Sequence, residues 1–153
     1  MILRESTMNR AEKTLAWALV AVIVSLLLVG VVSHTPLRHA VQVAPMVVVL
    51  GMRLARFGWS RFAAMAMLAF WLLIMVQIWL YLLGIVKWFS GHFTAAEIAL
   101  TVAIALGSAV GIGAAFFARD PTRWPSRLAV FLVAAAIQVA VMMISFQPAL
   151  ANR

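Results

Sequence analysis

Charged residues make up only 10% of this 153-residue chain, and they gather at the ends of long apolar runs. Four such runs, at about 14–33, 62–87, 95–118 and 127–147, each supply the roughly 20 residues that a helix needs to cross a bilayer core. A soluble domain has no place for them: 66% of the sequence is hydrophobic, against about half in globular proteins. The chain therefore reads as an all-α integral membrane protein. We expect a small helical bundle forming one polytopic domain over residues 1–153, with no soluble domain.

Local signals mark the helix ends. Asn9 and Glu12 have the spacing of a capping box, which starts the first helix just before the membrane. Its apolar core is longer than that of a signal peptide, so it is expected to be an uncleaved span. The run at 62–87 is bulky, with Phe70, Trp71, Trp79 and Tyr81, and its large side chains suit lipid or a partner at the bundle's periphery. The run at 95–118 is built from Ala, Gly and β-branched residues. Thr94 and Glu97 form a second capping box at its start, and Asp120-Pro121 ends it. Ser126 is the expected N-cap of the last span.

The segment at about 40–52 is harder to place, because thirteen apolar residues rise only about 20 Å as a helix. It is either a short fifth crossing or a re-entrant segment. Charge decides between them. If it stays on one side, the 12 Lys and Arg residues divide seven to five; if it crosses, they divide nine to three. Cytoplasmic loops concentrate Lys and Arg, so five crossings are expected, with the N-terminus cytoplasmic and the C-terminus outside. Abundant Ala and a preference for Arg over Lys point to a bacterial inner membrane.

Chemistry is sparse. With no cysteine, thiolate metal sites, disulfides and cysteine nucleophiles are excluded. The four carboxylates, Glu5, Glu12, Glu97 and Asp120, all lie outside the middle of the spans, where a proton-coupled carrier needs one. His34, His39 and His92 all fall at the outer face, but His34 and His39 are five apart, which is no metal-ligand spacing on a helix. No nucleophile elbow or phosphate loop occurs. The chain is expected to be no enzyme, with no cofactor and no metal. Its net charge of +8 is read as topology, not as nucleic-acid binding.

Three sets of residues carry the remaining signals. In the third long run Ala95, Ala99, Ala103, Gly107, Gly111 and Ala115 recur every fourth residue, a small-residue seam that allows close helix approach. Four residues turn a helix by about 400°, so the seam drifts around it and is expected to meet different neighbours at its two ends, with this helix inside the bundle. Gln77 and Gln138 lie at similar depth, and each needs a hydrogen-bond partner in hydrocarbon; they are expected to pair. Arg53, Arg56, Arg61, Arg119, Arg123 and Arg127, with Trp59 and Trp124, are expected to form a cytoplasmic rim that holds anionic lipid headgroups. By elimination, the expected function is a non-catalytic accessory or scaffold subunit of a larger membrane complex. The alternative is a small homo-oligomeric transporter or channel, with an outer-face metal or haem protein behind it.

Overall fold

The computed structural model describes residues 9–87, 93–118 and 124–151. Among them the secondary structure is entirely helical: α1 (Arg10–Val32), α2 (Pro36–Leu54), α3 (Ser60–Leu82), α4 (Ala95–Phe117), α5 (Trp124–Ser145) and a final turn, α6 (Pro148–Ala151). Helices α1 to α5 are each long and apolar enough to cross a membrane, and the chain is a multi-pass membrane protein.

Both capping boxes form. Asn9 Oδ1 accepts from the Glu12 N–H at 2.8 Å while the Glu12 carboxylate accepts from the Asn9 N–H at 3.0 Å. Thr94 and Glu97 repeat the arrangement at the start of α4. Ser126 is not a cap, because α5 is already helical from Trp124, and Pro125 fits the first turn, where its missing N–H is not needed. The Asp120-Pro121 stop lies outside the described residues.

The segment expected at 40–52 is a 19-residue helix, Pro36–Leu54, about 28 Å long and close to the thickness of a hydrocarbon core. Counting apolar residues underestimated it because its ends are set by backbone signals. Pro36 occupies the first turn, and Arg56, at φ 64°, turns the chain after the last one. Helices α1, α2 and α3 all end this way. His34 (φ 56°), Arg56 and Gly84 (φ 74°) take the left-handed conformation, and two backbone bonds reach back to each final turn. After α3 these run from the Gly84 N–H to the Tyr81 carbonyl and from the Ile85 N–H to the Leu80 carbonyl, each at 2.9 Å, the Schellman pattern. That turn ends α3 at Leu82, short of the expected 87.

Successive helices run antiparallel. Glu12 at the start of α1 meets Arg53 at the end of α2, and Gly30 near the end of α1 lies against His39 near the start of α2. Gly107 and Gly111 of α4 face Val22 and Ala18 of α1 in reverse order, and Gly111 also meets Leu68 of α3. Around the bundle the neighbours run α1, α4, α3, α5, α2 and back to α1. The α1–α4 contact alternates three- and four-residue steps on both sides: Leu15, Leu19, Val22 and Leu26 against Thr101, Ile104, Ser108, Gly111 and Ala115, all buried. This is the spacing of knobs-into-holes packing.

One expected placement is reversed. Helix α3, thought peripheral for its bulk, touches each of the other four spans, whereas α4 packs on α1 and α3. Every residue of α3 from Ser60 to Leu68 except Met65 is buried. Ala63, Ala64 and Ala66 explain this, since small side chains let neighbouring backbones close in on all sides. The bulky residues lie further along α3, where Leu73 and Val76 are exposed.

Candidate functional site

The bundle is tight at one end and open at the other. From mid-span towards the tight end α1, α3 and α4 meet closely enough that a Cβ placed on Gly107 would lie 2.9 Å from Val22 Cγ2, and one on Gly111 3.0 Å from Ala18 Cβ. Towards the opposite end the helices part around a cavity of about 510 Å³, which takes lining residues from all five spans. On α3 the lining runs from Phe70 to Ile78, about 12 Å along the axis, and its walls are mostly apolar.

Polar groups collect where α1 hands over to α2. Ser33 Oγ bonds to the Val29 carbonyl and to Thr35 Oγ1, both at 2.8 Å. His39 Nδ1 is 3.0 Å from the Thr35 carbonyl, which can only accept, so Nδ1 carries the proton and Nε2 is the ring's acceptor. Gly30 allows this approach: a Cβ there would sit 2.8 Å from His39 Cβ. Arg38 lies over the Phe146 ring, 4.0 Å from its centroid, and its buried Nε has no hydrogen-bond partner. Across the cavity, the Glu97 carboxylate accepts from the N–H and hydroxyl of Thr94 at 2.8 and 2.9 Å.

Deeper, α2 and α5 are joined by amides. Gln138 Nε2 donates to the Gln42 backbone carbonyl at 3.1 Å, and Gln42 Nε2 donates to Ser145 Oγ at 2.9 Å, with Met142 Sδ at 3.2 Å. The expected partner of Gln138, Gln77, takes no part; it is half-buried on α3. Pro45, lacking an N–H, leaves the Val41 carbonyl next to this joint without its helical donor.

A second recess, about 720 Å³, is a lateral groove between α2, α3 and α5. Its lining is mostly small or β-branched, with Ala44, Val48, Ala63, Ala129, Val133 and Ala134 beside the larger Met52, Trp59 and Met67. A third, about 320 Å³, lies at the tight end beside Arg61, Trp124 and Arg127.

The expected site residues divide. In α4, Gly111 and Ala115 are buried and Gly107 is half-buried, whereas Ala95, Ala99 and Ala103 are exposed, because the drift of a four-residue step carries them off the α1–α4 contact. Of the expected headgroup rim, Arg53 and Arg61 are buried instead. Arg53 pairs with Glu12 at 2.8 Å and Arg61 lies over the Phe62 ring at 4.4 Å, so both belong to the packing. Arg56, Trp59 and Trp124 are exposed, and Arg127 lies 5.5 Å from the centroid of the same Phe62 ring. Arg119, Arg123 and His92 lie outside the described residues.

Sequence reasoning missed Gly30, the Gln42–Gln138–Ser145 joint and the gathering of Arg38, His39 and Glu97 around one cavity. Gln42 was visible as the lone amide of its apolar segment; the gathering depends on which helices are neighbours, which spacing along the chain does not encode. No family model, curated protein or solved structure matches this chain.

Proposed function

We propose that the protein is a non-catalytic accessory subunit of a larger assembly in a bacterial inner membrane, with its N-terminus in the cytoplasm. The observation that carries this reading is the groove between α2, α3 and α5. Of the 22 residues of α5 only Ala134, Gln138 and Ser145 are buried, so one wall of the groove is largely uncovered. Its small and β-branched lining lets a foreign backbone come close, which is how helices associate in lipid. Faces that meet only acyl chains have no such need, and the exposed surface of α1 carries Trp17, Leu27, Leu28 and Val31. A transmembrane helix of a partner subunit fits this groove best. The exposed Arg56, Trp59 and Trp124 at the tight end would add contacts to anionic headgroups.

The test is purification in mild detergent with native mass spectrometry, for the wild type and for Ala44→Trp and Ala129→Trp, two exposed positions in the groove. A stoichiometric foreign chain that both variants lose, with the thermal midpoint of the bundle unchanged, is the expected result. A homo-oligomer broken by the same variants would favour the small transporter or channel instead. A monomer carrying only lipid would refute the subunit reading.

A further inference from the structure

We propose that the cavity at the open end binds one acyl chain of an amphiphile with an anionic head, Arg38 receiving the head and the apolar walls receiving the chain. Arg38 is the third residue of α2 and lines the cavity, yet its contact within the protein is the face of Phe146. Its Nε–H is buried with no acceptor. Glu97, the carboxylate that shares the cavity, is held by Thr94 in its capping box. Arg53, at the other end of α2, has its own carboxylate in Glu12. Arg38 is thus a partly desolvated cation without a counter-ion among the described residues. A guanidinium in that state favours a group offering two acceptor oxygens in one plane, and a carboxylate or phosphate does so.

About 510 Å³ lies in the range of small-molecule sites. The lining runs about 12 Å along α3, from Ile78 to Phe70, close to half of a roughly 30 Å hydrocarbon core and so to the depth of one acyl chain. Phe70, Ile74, Ile104 and Val139 supply the apolar wall. Arg38 stands in the first turn of α2, with the cavity running from it towards the middle of the spans, so a ligand held in leaflet orientation presents each of its halves to the matching part of the site. A small polar anion leaves the apolar wall unused, and an uncharged alkane leaves Arg38 unpaired.

The head chemistry is shared by free fatty acids and by anionic phospholipids, and the test separates them. Delipidated full-length protein in an uncharged detergent is titrated with palmitate, with hexadecanol as the uncharged analogue of equal chain length, and with phosphatidylglycerol, binding being read by native mass spectrometry. Palmitate should bind saturably and at least about tenfold more tightly than hexadecanol, the scale of one charge-assisted bidentate contact. Arg38→Met should abolish that preference, Arg38→Lys should keep part of it, and Ile74→Trp, which fills the cavity, should weaken both ligands. If phosphatidylglycerol displaces palmitate with the same dependence on Arg38, the natural source of the head is a membrane lipid; if it does not, the source is a free fatty acid. Equal binding of palmitate and hexadecanol to the wild type, or a preference that survives in an Arg38→Met variant with an unchanged thermal midpoint, would overturn the proposal.

Discussion

His34 holds a left-handed backbone at the end of α1, a conformation that costs an L-residue about 1 to 2 kcal/mol and a glycine almost nothing. It is exposed and caps the helix by its backbone alone. His34→Gly should therefore raise stability by about 1 kcal/mol, while Gly84→Ala, at the equivalent position after α3, should lower it by a similar amount; thermal unfolding in detergent reads both. The small residues of α4 permit a sharper comparison. Gly107→Leu and Gly111→Leu must push α1 away from α4, at a cost of about 1 to 3 kcal/mol or more. Ala99→Leu and Ala103→Leu place the same side chain on an exposed face and should cost almost nothing. Equal effects at all four positions would mean that the α1–α4 contact is not where these glycines place it.

At the scale of the element, α2 explains most about how the bundle is held. Arg53 ties its end to the start of α1 through Glu12, and Gln42 ties its other half to α5. Removing one partner of the ion pair strands a buried charge, whereas removing both does not. Glu12→Gln should lower stability by about 1 to 3 kcal/mol, and adding Arg53→Met should restore much of the loss; chemical unfolding of the two variants side by side tests the sign. The existence of the spans and both capping boxes were legible in the sequence, because those signals are local: Asn9 with Glu12 and Thr94 with Glu97 need only a fixed spacing. The central position of α3 was not legible. In lipid, packed and lipid-facing surfaces are both apolar, so hydropathy around α3 marks no inner face; only Ala63, Ala64 and Ala66 hinted at close neighbours. For the same reason, Arg38 was readable as a charge at a span's end, while its place over a cavity depended on where α3, α4 and α5 stood.

At the scale of the whole molecule, five antiparallel spans close at one end and part at the other, and charge follows the same axis. Of the eight described Lys and Arg residues, Arg10, Lys13, Arg53, Arg56, Arg61 and Arg127 lie at the closed end, and only Arg38 and Lys87 at the open one. In the orientation proposed above, the closed end faces the cytoplasm and the cavity opens to the outer side. This account depends on α2 crossing the membrane, since a re-entrant α2 would return both of its ends to one face and leave the cavity unformed. The natural sequence has no cysteine, so a single one introduced at His34 or at Arg56, on either flank of α2, is the only thiol in the chain. Labelling intact cells and inverted vesicles with a membrane-impermeant maleimide should modify His34→Cys from the outside and Arg56→Cys from the cytoplasmic side; modification of both from the same side would contradict the five-span bundle.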